Sequence, residues 1–130
     1  MITKLRARNF KSWRDTGELR LAPLTGLFGT NSSGKTSILQ ILLMLKQTVD
    51  SRDPKQVLHF GDDRSAANLG TFEEAVFGHQ SDVSLALSLT WDVEPRLVVL
   101  DPLDDRKELF RTQVMSFNAE VRKLHDRVVV

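Results

Sequence analysis

The stretch Gly29-Thr30-Asn31-Ser32-Ser33-Gly34-Lys35-Thr36 has residue types and a spacing suited to one chemistry, the grip of a phosphate chain. It satisfies G-x-x-x-x-G-K-[ST] in full. A loop that wraps backbone N–H groups around phosphate oxygens excludes bulky, dihedral-restricted side chains at Gly29 and Gly34, and small residues fill the turn between them. Lys35 brings a mobile point charge suited to β- and γ-phosphates, and Thr36 brings a hydroxyl suited to Mg²⁺. A helix opening at this point aims its unpaired N–H groups and positive dipole end at the anion. The candidate contacts are Gly29, Asn31, Ser32, Ser33, Gly34, Lys35, Thr36 and Ser37, with Thr36 at the metal. The competing reading is a Gly/Ser-rich turn in which Ser32 or Ser33 caps a core helix. A complete motif between an apolar strand and a helix favours phosphate.

The elements that must position this loop are legible around it. Residues 1–10 alternate, with Leu5 and Ala7 facing a core and Lys4, Arg6 and Arg8 facing away, which predicts a half-buried strand. Glu18-Leu19-Arg20-Leu21 alternates again before Pro23, and residues 24–28 form an apolar run read as the strand that feeds the loop, with Gly26 as its weak point. Residues 35–49 lack Gly and Pro and are apolar around most of their circumference, which predicts a helix packed on a sheet and under a second layer. Residues 50–70, rich in charge and broken by Pro54, Gly61 and Gly70, read as a lid or linker. Strict alternation from Val83 to Trp91 predicts an antiparallel strand. A turn is expected at Glu94-Pro95, an apolar run at 97–100, and another turn at Asp101-Pro102. Beyond Lys107 the pattern fits both periods and is read as strand followed by helix.

Composition narrows the function. With 130 residues the chain has the size of one domain or part of one, and with no cysteine it has no disulfide framework, thiolate metal site or cysteine nucleophile. The longest apolar run, residues 41–45, is far too short to span a bilayer, and the opening MITKLRARNF is too charged for a secretory signal, so a cytoplasmic protein with no membrane partner is expected. A net charge of +1 argues against a dedicated nucleic-acid domain, although residues 1–20 hold six bases against two acids. His59, His79 and His125 lack a second ligand at helical spacing and read as surface or packing residues. Ser33, Ser37 and His59 form no nucleophile elbow, and Asp62-Asp63 and Asp104-Asp105 read as turn acids.

MITKLRARNFKSW followed by LAPLTGLFGTNSSGKTSILQILLMLKQT resembles the N-terminal part of the ABC-type ATPases related to RecF, SMC proteins and the OLD nucleases, in particular their bacterial AAA-labelled relatives. Asn68-Leu69-Gly70-Thr71-Phe72-Glu73-Glu74 follows the resemblance more loosely. It implies an α/β P-loop NTPase fold, here a partial nucleotide-binding domain with an antiparallel β-subdomain. Residues 1–50 would supply strands, loop and helix, 50–80 the lid, and 81–130 the accessory strands. It implies ATP and Mg²⁺ as ligands, an ATP-sandwiched homodimer or larger assembly, and DNA-directed work in repair, chromosome maintenance or anti-phage defence. By the same resemblance Lys11 and Ser12 lie near the nucleotide, while Phe10 and Trp13 read first as packing residues. No signature loop is present, and Gln40, Gln56 and Gln80 give no secure Q-loop. Leu97-Val98-Val99-Leu100-Asp101 resembles a Walker B strand, but Pro102 stands where the catalytic glutamate belongs, and a hairpin strand is the preferred reading of Asp101. The alternatives are a nucleotide-binding module without turnover, and a small kinase with Arg52 or Arg64 in its lid.

Overall fold

In a computed structural model, residues 1–80, 82–124 and 127–130 are described. The elements are β1 (Ile2–Phe10), β2 (Trp13–Asp15), β3 (Leu19–Arg20), α1 (Lys35–Asp50), the single-turn α2 (Phe72–Ala75), β4 (Leu85–Asp101), β5 (Asp104–Leu124) and β6 (Arg127–Val129). The strands form one sheet in the order β2-β1-β4-β5-β6, with β3 also on β1, and every pairing is antiparallel. The α/β P-loop fold that the resemblance implies would set a parallel or mixed sheet behind the phosphate loop, and the sheet here is antiparallel throughout its described strands.

Alternation decides which face is buried. Leu5 and Ala7 of β1 stand across from Leu89 and Leu87 of β4, and Leu85 stands across from Val121 of β5. Leu5, Ala7, Leu85, Leu87 and Val121 are buried with Ile38, Ile41 and Met44 of α1 in one cluster. Arg6, Arg8 and Ser88 line the opposite, open face. The helix is thus buried along one stripe, not most of the way round: Leu39 is 53% exposed and Val49 84%. The sheet and, through Leu58 and Leu69, the 51–70 connection cover that stripe, while Leu39 and Val49 stay in water.

Four further expectations change. Residues 24–28 form no strand, and Leu24 and Phe28 are 92% and 93% exposed. The adjacent strand β1 already carries β2 and β3 on one edge and β4 on the other, so no edge of it is left to pair with this run. Glu94-Pro95 does not reverse the chain. The pairing of β4 with β5 shifts register between Asp92 and Leu97, and that irregularity absorbs the missing proline donor within one continuous strand. The reversal comes at Pro102-Leu103, with Asp101 paired to Asp104. The tail holds no helix over its described residues: β5 runs unbroken to Leu124 and β6 folds back on it, because pairing along β4 overrides the helical spacing of Val114, Phe117 and Val121. His125 lies outside the described residues.

Residues 51–70 have no helix or strand, as expected of a connection, yet they are not a free lid. The Gln47 amide nitrogen donates to the carbonyls of His59 (2.6 Å) and Ala67 (3.0 Å), and its oxygen accepts from the Ala67 N–H at 3.3 Å. The His59 N–H donates to the Thr48 hydroxyl, and Leu58, Ala67 and Leu69 are buried. One glutamine on α1 thus pins both arms of the connection.

At the sheet edge the Arg6 guanidinium holds the Asp15 carboxylate at 2.6 Å, and with the Gly17 N–H it lowers the Asp15 pKa from 3.8 to about 2. A carboxylate depressed on folding contributes stability that is present above pH 3.8 and is lost as pH falls towards 2. Arg6→Ala is expected to flatten the dependence of melting temperature on pH across that window, with a loss at pH 7 that closes as pH falls towards 2 and is small because the pair is exposed. Parallel parent and variant curves from pH 4 to pH 2 would show that the pair does not matter.

Candidate functional site

The loop of residues 29–36 is shaped by three positive-φ residues, Gly29 (153°), Ser32 (64°) and Gly34 (84°). Gly34 is the N-cap of α1, and no side chain caps the helix there. Neither Ser32 nor Ser33 fills that role, so the first-turn N–H groups have no side-chain competitor for an anion. Gly34 has no room for anything larger: a Cβ would sit 2.5 Å from the Trp13 indole nitrogen and 2.6 Å from the Ser12 hydroxyl. Trp13 donates its indole N–H to the Gly34 carbonyl at 3.0 Å, which ties the β1–β2 turn to the base of the loop.

The Lys35 ammonium has three donors and three partners within the loop: the carbonyls of Gly29 (2.8 Å) and Thr30 (2.5 Å) and the hydroxyl of Ser33 (3.3 Å). The cation is therefore held over the mouth of the loop by main-chain dipoles. No acidic residue lies in the first turn of α1, so nothing there neutralises it.

Lys11 and Ser12 form the two-residue turn between β1 and β2, where Phe10 pairs with Trp13. Lys11 and Asn9 both adopt positive φ, 50° and 56°, which swings the turn off the sheet. The Lys11 N–H donates to the Ala75 carbonyl at 2.8 Å, and Phe10 bridges Val76. These bonds seat α2 beside the turn. An open cleft of about 680 Å³ results, large enough for a small ligand. Its wall brings together Lys11, Ser12 and residues 31–37. Gly29 does not line it and acts through its carbonyl on Lys35. Asp101 is not part of it: that carboxylate accepts the Leu103 N–H at the hairpin turn and pairs with Lys107 at 3.3 Å.

Three lining residues were not anticipated, Glu74, Val76 and His79. The pattern Thr71-x-x-Glu74 signals a capping box, and the box is present, with the Thr71 N–H donating to Glu74 at 2.7 Å. That signal marks a helix start, however, and only the contact of α2 with the far end of β1 turns it towards the loop. Among the described residues no three His, Cys, Asp or Glu side chains gather to hold a metal. A cation would instead take one hydroxyl, with a ligand's own oxygens completing the shell, which suits Mg²⁺. No helix is long and apolar enough to cross a membrane among the described residues.

No curated protein and no solved structure matches the chain. The family model described as AAA ATPase domain matches residues 1–108, a span that includes the glycine-lysine loop, α1, the β1–β2 turn and the α2 wall of the cleft. The chain belongs to the AAA ATPase domain family.

Proposed function

We propose that the chain binds ATP with Mg²⁺ in the cleft over residues 29–36, as the nucleotide-binding part of an ATPase. One observation carries the reading: an uncapped helix start, a loop-held ammonium and a second lysine from a distant turn face one cleft. In this reading the N–H groups of residues 31–37 take the phosphate oxygens, and Lys35 exchanges its loop carbonyls for the β- and γ-phosphates. Thr36 would hold Mg²⁺, which when bound shields the phosphate charge. Lys11 and Ser12 close the cleft from the β1–β2 turn.

Hydrolysis needs a side chain that positions the attacking water, and the resemblance implies a carboxylate in that role. The cleft offers only Glu74, whose Oε2 is spent on the cap of α2. Residues 1–130 therefore bind nucleotide without turning it over, and turnover belongs to an assembly in which a further chain segment or a second subunit adds that group. Family membership supports the ATPase class. An ATP-sandwiched dimer, and work on DNA in repair, chromosome maintenance or anti-phage defence in a cytoplasmic setting, follow from the resemblance to RecF-like and SMC-like ATPases. The basic strand β1 is the surface that would meet a phosphate backbone.

Titration calorimetry with MgATP and steady-state phosphate release test this together. Saturable one-site binding with no phosphate release above buffer is the expected result. Sustained turnover by residues 1–130 alone would reverse the division of labour, and no binding at millimolar MgATP would remove the proposal.

A further inference from the structure

The cleft has two chemically different walls. One carries the loop and Lys35; the other carries Glu74, Val76 and His79, beside the β1–β2 turn whose Lys11 N–H bonds to the Ala75 carbonyl. A polyphosphate is drawn to the cationic wall and repelled by the Glu74 carboxylate, so charge orders a nucleotide across the cleft with its uncharged end on the α2 side. Val76 is buried there and offers no polar atom of its side chain, whereas His79 is exposed and offers an aromatic face.

His79 is also held in place. Its φ is 56°, a left-handed conformation that histidine adopts at a cost, directly after Gly78 at 67°. The His79 N–H donates to the Val76 carbonyl at 3.3 Å, and its ring Nδ1 lies 3.2 Å from the Glu73 carbonyl. That spacing suits an Nδ1–H donor, and among the described residues none engages Nε2 or the ring face. Val76 is in turn bonded to Phe72 and bridged to Phe10, so the ring rides on a segment anchored to the sheet. A planar group fixed at the uncharged end of a phosphate cleft is suited to one task, stacking on a flat heterocycle.

We infer that His79 is the base platform of the nucleotide site, a contact residue that sets preference for nucleotides over bare polyphosphates. This rests on the phosphate reading of residues 29–36. Two probes separate the claims, MgATP and magnesium tripolyphosphate, which shares the phosphate chain and lacks the base.

His79→Asn suits the left-handed backbone and removes the aromatic face, and His79→Phe restores a face without the ring nitrogens. Calorimetric titration of His79→Asn is expected to show ATP binding weakened roughly ten- to hundredfold, with tripolyphosphate affinity within about twofold of the parent. His79→Phe is expected to recover ATP affinity to within about threefold. Lys35→Ala, in contrast, is expected to lose both ligands. Unchanged ATP binding by His79→Asn overturns the inference. So does an equal loss of ATP and tripolyphosphate, which would put the imidazole on the phosphates, and so does a failure of His79→Phe to recover ATP in a variant that melts like the parent. Loss of neither ligand in Lys35→Ala would instead strike the phosphate reading beneath it.

Discussion

Lys35→Ala is expected to abolish the rise in melting temperature that MgATP gives the parent chain, while leaving the fold without nucleotide nearly unchanged. A ligand at a hundred times its Kd stabilises the folded state by about 2.7 kcal/mol, a melting shift on the order of 10 °C for a domain of this size. The whole of that shift is at stake. The Lys35 ammonium is the cation bonded to the loop itself, and without it the densest charge of a triphosphate faces backbone dipoles with only Lys11 of the β1–β2 turn across the cleft. The fold itself loses only hydrogen bonds at a partly exposed site, to the Gly29 and Thr30 carbonyls and the Ser33 hydroxyl, worth less than about 1 kcal/mol in net terms. Differential scanning fluorimetry with and without MgATP makes the comparison. Equal nucleotide-dependent shifts in variant and parent would mean that the phosphate chain lies elsewhere.

Phe10→Ala carries the largest expected loss of stability. The ring is completely buried in the single core cluster. Truncating a buried phenylalanine costs about 3–5 kcal/mol through lost burial and the cavity left behind. Against the 5–15 kcal/mol typical of a whole domain, that is enough to bring the chain close to unfolding at moderate temperature. The consequence also reaches the site, because Phe10 precedes Lys11 in the turn and bridges Val76. Loosening it frees both walls of the cleft from the sheet. Urea denaturation should give a lower midpoint at an unchanged slope, and MgATP affinity should fall in the same variant. A stability loss below about 1 kcal/mol would show that the aromatic ring is not a keystone of this core.

The separation between these two variants reflects how the protein is built. Lys35 stands on a loop whose own geometry is local, while Phe10 belongs to the junction of β1 and α2, residues more than sixty positions apart in sequence. The same contrast explains which parts were readable in advance. The glycine-lysine loop and the helix after it were legible because positive-φ glycines, small turn residues and an uninterrupted helical run are written into neighbouring residues. The alternation of β1 and of residues 83–91 was legible for the same reason: period two is a property of consecutive residues.

Readings that needed a partner strand or a second layer were the ones that changed. Residues 24–28 look like a strand, but a strand exists only beside an open edge, and the edges of β1 were taken. Pro95 looks like a turn, but β5 had already committed β4 to continue past it. The tail fits two periods equally, and a long antiparallel neighbour chose between them. The connection at 51–70 looks free until Gln47 is seen to hold both of its arms.

By itself, then, the amino-acid order determined the glycine-lysine loop, the helix behind it and the half-buried strands, since each depends on bond rotations and spacings within a few residues. Only the tertiary structure decided that the sheet is antiparallel, that Leu39 and Val49 of α1 stay exposed, and that Glu74 and His79 line the cleft beside the loop. The physical reason is that hydrogen-bond partners and apolar cover are supplied by distant chain, and which distant segment wins depends on every other pairing already made.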